Sequence, residues 1–275
     1  MDNISQNERR DNMDKRVFVI EPRATHLYIP PINWRGDPGG HIGINDAFFF
    51  VLKGECYLNI DDQCYILKEG DLAFLPQGLK RTYTAVSPNF KMYAMSFEAT
   101  INGTNLFEYF ALRDSDYPVN VKEKDYIARC FENSIEHRHR PDELLYVRNV
   151  QNIMCIINEY ITLRRKAEMA EKPFEETISY MRAHTDCKIP VEKLASIACM
   201  QPNYFIRKFT KMMNISPVQY HAKLRCYKAM SLLVNADITP DKAAKMVGID
   251  DYAYFCRFFK KHCGMSPTAY KKLLK

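Results

Sequence analysis

Residues 204–220 read YFIRKFTKMMNISPVQY, and residues 254–270 read YFCRFFKKHCGMSPTAY. Tyr, Phe, Arg, Phe, Lys, Ser, Pro and Tyr recur in register, eight identities in seventeen positions. At helical spacing, Phe205, Phe209 and Met212 share one face, while Asn203, Arg207 and Lys211 share another. In the second copy Phe255 and Phe259 point inward, and Tyr252, Cys256, Arg257, Lys260 and Lys261 fall outward or on the flank. The outward residues have a chemistry in common. An arginine grips guanine O6 and N7 with two hydrogen bonds, and an asparagine does the same with adenine N6 and N7. Lysines and helix N-termini hold phosphates and set the register on a duplex. Basic side chains on a helix are often only a solvated face. Repetition of the arginine at one helical position favours contact with DNA.

A short helix of this kind needs a partner to aim it. Upstream, LASIACM (194–200) parallels AAKMVGI (243–249), with one extra residue before the second Tyr-Phe. Each copy reads as helix, tight turn, helix, the layout that places a second helix in a major groove. Gly248 permits a sharp turn, and Asp250 or Asp251 caps the helix after it. In the first copy the turn is Cys199-Met200-Gln201, followed by Pro202. Pro190, Pro202, Pro217, Pro240 and Pro267 mark helix starts, where a missing N–H costs nothing. Ser216, Thr239 and Ser266 precede three of them as N-caps. Phe174, Ile178 and Met181 begin this helical region.

The charge distribution agrees. The net charge is +6; residues 171–275 carry +9 and residues 1–170 carry −3. A near-neutral body joined to a basic end is the electrostatic pattern of a nucleic-acid binder. The composition is that of a globular protein, with 47% hydrophobic and 26% charged residues. Nine scattered cysteines without a C-x-x-C pair read as reduced, mostly buried thiols; a redox sensor is the alternative, and no spacing singles one out. The first residues, MDNISQNERRDNMDKR, lack the apolar segment of a secretion signal. No apolar run approaches the ~20 residues needed to span a bilayer. The expectation is a cytoplasmic protein with no membrane partner.

The segment 174–275 resembles the DNA-binding domain of the AraC/XylS family of bacterial transcription regulators. The family pattern appears as AAKMVGIDDYAYFCRFFKKHCGMSPTAY, and more loosely as LASIACMQPNYFIRKFTKMMNISPVQY. LRCYKAMSLL, with Arg225, Ala229, Leu232 and Leu233, resembles the family's linker helix. The resemblance implies two helix-turn-helix units on one linker helix, entering successive major-groove segments. It implies base contacts from Asn203, Ile206 and Arg207, then Tyr252, Ala253, Cys256 and Arg257. Gln201, Lys208, Lys211, Lys260 and Lys261 are expected on the DNA backbone. It also implies double-stranded promoter DNA and RNA polymerase as partners, a homodimer, a nucleoid location and no enzymatic activity. The chain departs from the pattern in places. Gln201 stands where Ser is usual, weakening one helix start. Asn214 stands where Gly is common, though Asn tolerates the left-handed conformation. Ile249 replaces Phe.

The amino-terminal part has another grammar. Between residues 17 and 98, short aromatic and β-branched runs alternate with turns at Lys53-Gly54, Asp61-Asp62, Glu69-Gly70 and Gln77-Gly78, predicting a sandwich or small barrel. FVLKGECYLNIDDQCYILKEGDLAFLPQGLKRTYTA resembles the cupin-like domain often found in the same family. Cupin metalloenzymes need a His-x-His pair and further ligands, but no His occurs from 42 to 136. Lys80 and Arg81 stand where a metal-site histidine often falls. No metal or cofactor is expected. His137 and His139 read as surface residues. A barrel can hold a small effector, such as a sugar or another metabolite, near Trp34, His41, Arg81 and Tyr83. Trp34 lies in a loop-like stretch suited to a flap, and Arg81 favours an anionic or hydroxylated ligand. Most inward residues of a small barrel are simply core. Two other readings stay open: a barrel that only dimerises or binds a protein, and a cupin enzyme fused to a DNA-binding tail.

Past residue 104 the period becomes helical. Leu144, Val147, Val150, Met154, Ile157 and Ile161 form a stripe for core packing or a dimer seam, with Arg148, Asn152, Glu159 and Arg164 elsewhere. The charged stretch 164–173 has no stripe and is the candidate boundary. The expected fold class is α+β: a cupin-like β-barrel with helices over 1–165, then an all-α domain with two helix-turn-helix units over 174–275.

Overall fold

The computed structural model describes residues 16–32, 34–60, 63–112, 118–136, 143–235 and 237–273. His137, His139 and the Asp61-Asp62 turn lie outside them. The architecture is α+β, as expected, with strands β1 (Phe18–Tyr28), β2 (Arg35–Ile42), β3 (Asp46–Lys53), β4 (Glu55–Ile60), β5 (Gln63–Lys68), β6 (Asp71–Leu75), β7 (Lys80–Ala85), β8 (Lys91–Ile101), β9 (Thr104–Asn105) and β10 (Val119–Asn120). Sheet A runs β1-β8-β3-β6-β10, with β9 on β8, and sheet B runs β2-β7-β4-β5.

Period-2 alternation explains how both faces of each sheet become buried. In sheet A, Phe48, Phe50, Tyr93, Met95 and Phe97 point to one side, where they meet helices. Their neighbours Ala47, Phe49, Val51, Met92 and Ala94 point into the barrel. In sheet B, Cys56, Leu58, Tyr65 and Leu67 face the barrel interior, and Tyr57, Cys64 and Ile66 face outward into a second core. The run AFFFVL is apolar without alternation for this reason: each face has its own cover.

The helices are α1 (Leu106–Tyr109), α2 (Lys124–Glu136), α3 (Glu143–Glu171), α4 (Glu175–Ala183), α5 (Val191–Ile197), α6 (Pro202–Met213), α7 (Pro217–Val234), α8 (Pro240–Met246), α9 (Tyr252–Cys263) and α10 (Pro267–Leu273). A 3₁₀ turn at Lys172–Phe174 joins α3 to α4. Helices α2 and α3 cover sheet A, and α7 packs on β5. The order of layers is therefore helices, sheet A, barrel interior, sheet B and the carboxyl-terminal helices.

The structure refines four readings of the sequence. The stretch containing Trp34 is not a flap: Arg35–Ile42 is a strand paired with β7, interrupted by a register shift between Gly36 and His41. Helix α3 buries only part of the stripe expected for core packing or a dimer seam: Ile157 is buried, and Val150 and Ile161 pack against the core. Its buried residues are Asn152, Ile153, Ile156, Ile157, Tyr160 and Arg164, while Leu144, Val147 and Met154 are exposed. A polar contact accounts for part of the rotation, since Asn152 Nδ2 donates to Ser134 Oγ of α2 at 3.2 Å. The charged stretch from 164 continues α3 to Glu171, with Arg164 almost wholly buried. Pro190 also sits one position earlier than expected, as the N-cap of α5.

Candidate nucleic-acid interface

The repeat in the sequence is a repeat in space. Helices α6 and α9 each have 12 residues and begin 50 positions apart. Each ends on a left-handed residue, Asn214 at φ 54° and Gly264 at φ 85°. Each is followed by a serine cap and a proline start. Ser216 forms a capping box with Gln219, and Ser266 Oγ accepts from Ala269 N at 3.2 Å. Phe205 and Phe209 are fully buried, as are Phe255 and Phe259. These four rings fasten the two helices.

The face opposite is open. Asn203 and Arg207 of α6 are exposed, as are Tyr252, Ala253 and Arg257 of α9. Ile206 and Cys256 are half-buried at corresponding positions. Gln201, Lys211, Lys260 and Lys261 are exposed; Lys208 is half-buried, with its ammonium 5.7 Å from the Tyr204 ring centre. The helix starts differ as their residues dictate. Gln201 makes no side-chain cap, whereas Asp251, rather than Asp250, caps α9 by accepting from Tyr254 N at 3.1 Å.

Two turns aim these helices. Gly248 has φ +68°, and Cys199 holds the matching place in the first unit at φ 52°. A β-carbon on Gly248 would collide with the Asp186 carbonyl oxygen, so this turn is also where the second unit touches the loop between α4 and α5. The turn is gripped from α7. Arg225, nearly buried, donates from Nε and Nη2 to Val247 O at 2.9 and 2.7 Å, and from Nη2 to Gly248 O at 2.9 Å. Its guanidinium lies 5.9 Å from the Phe258 ring centre. Arg225 is noticeable in the sequence only as part of the linker helix; its role as the clasp of the second turn is a tertiary fact. His221 of α7 contacts His184 O at 2.9 Å and ties the linker to the end of α4.

A contact with the barrel was missed by sequence reasoning. Tyr57 of β4 donates to Cys263 O at the end of α9 at 2.6 Å. The Tyr57 and Tyr270 rings are 4.9 Å apart, edge to face, and Cys64 Sγ lies 3.3 Å from Tyr270 Oη. Burial pushes the Cys64 thiol up to about 12 and the Cys263 thiol up to about 11. The available signal was the outward face of β4–β5, whose Tyr, Cys and Ile are too apolar for water. Beside this contact, Lys68 and Asp71 of the barrel share a cleft with Lys223, Arg257 and Lys261.

The four barrel candidates lie on or beside one strand pair. His41 pairs with Arg81, and Gly36 pairs with Tyr83. Trp34 and Tyr83 have ring centres 5.3 Å apart, with Tyr28 and Phe49 against the same Tyr83 ring. Tyr83 is buried, Trp34 and Arg81 are half-buried and His41 is exposed. Arg81 Nη1 donates to Leu75 O at 3.3 Å. No helix among the described residues is long and apolar enough to cross a membrane.

Residues 194–273 match the family described as helix-turn-helix domain, and residues 35–96 match the cupin domain. The chain is similar to the MmsAB operon regulatory protein of Pseudomonas aeruginosa, with 25% identity over 213 residues, 76% of this chain and 67% of that protein. It is also similar to the lactose operon transcription activator of Staphylococcus xylosus, with 20% identity over 246 residues, 84% of this chain and 87% of that one. Among solved structures it is similar to the DNA-binding domain of AdpA in complex with a target DNA, with 28% identity, a TM-score of 0.35, and coverage of 36% of this chain and 90% of that chain. A cupin followed by paired helix-turn-helix units defines a class of two-part transcription regulators. This chain belongs to the AraC type of that class and is a DNA-binding transcription regulator.

Proposed function

We propose that α6 and α9 read successive major-groove segments of double-stranded DNA. Asn203, Ile206 and Arg207 meet bases in one segment, and Tyr252, Ala253, Cys256 and Arg257 in the next. Gln201, Lys208, Lys211, Lys260 and Lys261 hold the phosphates. One observation carries this reading: Arg207 and Arg257 stand exposed at the same turn of two equal helices whose opposite faces are fastened by buried phenylalanines. Footprint titrations at several salt concentrations test it. Arg207→Ala or Arg257→Ala should cost about 1–3 kcal/mol and relax base preference. Lys211→Ala should weaken all sequences evenly and lower the salt slope by about one. Indistinguishable effects from the arginine and lysine variants would sink the assignment.

The barrel half, ending near residue 165, is the sensor in this proposal, and the half from 174 onward reads DNA and meets RNA polymerase. Trp34, His41, Arg81 and Tyr83 receive a small anionic or hydroxylated metabolite, a reading supported by the aromatic cluster beside one guanidinium. Trp34 is the one tryptophan in the chain, so its emission reports on this place directly. A metabolite that shifts Trp34 emission in the wild type but not in Arg81→Ala supports the site; equal responses remove Arg81 from it. The exposed Leu144, Val147 and Met154 of α3 supply the seam of a homodimer. Dimerisation without any metabolite response would favour a barrel that serves only to pair two chains.

A further inference from the structure

Cysteine spacing singles out no pair, but helix packing does. Helices α2 and α3 lie side by side over sheet A, and two interactions give their register. Ser134 of α2 meets Asn152 of α3 at 3.2 Å. Tyr126, two turns earlier on α2, interacts with Glu159, two turns later on α3. The helices are therefore antiparallel, and one step of four residues back from Ser134 faces one step of three residues on from Asn152. Those positions are Cys130 and Cys155. Their thiols are neighbours across the two helices, and the Tyr126 hydroxyl lies beside Cys155. Ser134 Oγ donates to Cys130 O at 2.9 Å, a further contact at this level of the hairpin.

We propose that Cys130 and Cys155 form an oxidisable dithiol, a modification site for hydroperoxides that closes a disulfide between α2 and α3. The two sulfurs differ in access. Cys130 is buried in the core beneath the helices, and Cys155 is half-buried on its edge. Cys155 reacts first: its sulfur attacks the outer peroxide oxygen, the O–O bond breaks, and sulfenic acid and an alcohol or water result. The Cys130 sulfur then attacks the Cys155 sulfur, the S–OH bond breaks, and the hydroxyl leaves with the Cys130 proton as water. Two electrons pass from the sulfurs to the peroxide. Burial pushes the Cys130 thiol up to about 11, which suits a resolving thiol that stays protonated until its partner is oxidised.

The other cysteines offer a comparison within the same chain. Cys56, Cys64, Cys226 and Cys263 are buried, and Cys187 and Cys199 are exposed. The full-length protein is treated with limiting hydrogen peroxide, blocked with N-ethylmaleimide, digested without reductant and mapped by mass spectrometry. The expected first product is one cross-link between the peptides of α2 and α3, reversed by dithiothreitol. Its formation should exceed oxidation of Cys56 by about tenfold. Cys130→Ser should leave Cys155 as a sulfenic acid that dimedone captures, and Tyr126→Phe should slow the first step. Cys155→Ser, checked for unchanged melting, should abolish the cross-link. The idea is overturned if Cys155 proceeds to sulfinic acid with Cys130 still reduced, or if the first disulfide joins other cysteines such as Cys187 and Cys199.

Discussion

The Tyr57 hydroxyl of the barrel donates to the main-chain oxygen of Cys263, 206 residues later in the chain, at 2.6 Å. Cys263 is the last residue of α9. The barrel thus holds the end of a helix whose other side is exposed. A buried neutral hydrogen bond of this kind contributes about 1 kcal/mol net, and leaving the carbonyl without a donor costs about 1–3 kcal/mol. Tyr57→Phe should therefore raise the labelling rate of Cys64, Cys226 and Cys263 by thiol reagents at least about fivefold, the rate equivalent of about 1 kcal/mol. Unchanged labelling would show that this contact does not hold the two parts together.

Arg225 closes the second turn with three hydrogen bonds to two carbonyls. Arg225→Leu keeps the apolar stem but strands both acceptors. The expected loss is about 2–4 kcal/mol, read as a lower urea midpoint. Arg225→Lys should fall between, because one ammonium cannot reproduce the planar fork.

Cys199 and Gly248 occupy equivalent turns with opposite fitness for a positive φ. A non-glycine residue in the left-handed region costs about 1 kcal/mol, partly offset by the greater flexibility of glycine when unfolded. Cys199→Gly should raise stability by about 0.5–1 kcal/mol. Gly248→Ala should lower it by about 2 kcal/mol or more, since strain is joined by collision with the Asp186 carbonyl. Thermal melts of the two variants should move in opposite directions.

His221 gives a pH dependence with a definite sign. Its desolvation between the linker helix and His184 lowers its pKa, and the nearby Arg225 charge pushes the same way, against the hydrogen bond that its ring N–H donates to the His184 carbonyl. The unfolded chain therefore binds the proton at higher pH than the folded one. The stability of the neutral folded form is present above the ordinary histidine value and is lost as pH falls below it. Melting temperature should drop between pH 7.5 and 5.5 more steeply in the wild type than in His221→Gln. Parallel curves would remove His221 from this role.

Much of the helix-turn-helix domain was legible because its signals are local. Repeated Phe residues set the buried face, proline and serine set the starts, and Asn214 and Gly264 set the ends. The barrel was legible as strands, but its partners were not. Phe18–Tyr28 reads as two short runs separated by Pro22 and Arg23, yet it is one strand that absorbs the irregularity as a bulge. Helix α3 misled for a related reason. Its apolar residues surround much of the helix, so periodicity alone does not say which of them face sheet A. Asn152 is buried there with Ser134 of α2 accepting from its amide, and Arg164 is buried beside Glu168, one turn on in the same helix. Tyr57 meets a helix 206 residues later in the chain, and the Cys130–Cys155 pair depends on the register of two packed helices; spacing alone sets neither.

Sheet B has no face left for water along β4 and β5: Cys56 and Leu58 belong to the barrel interior, while Tyr57, Cys64 and Ile66 belong to the core shared with α7, α9 and α10. This limits how the protein can be recombined. A chimera that attaches another regulator's DNA-binding half at residue 174 would inherit Tyr57, Cys64 and Ile66 without Cys263 and Tyr270 to cover them. The graft would present an apolar strand pair to solvent, and β5 is an edge strand open to pairing with another chain. The part that must travel with the carboxyl-terminal helices is therefore larger than their own sequence: it includes three side chains on the outer wall of the barrel.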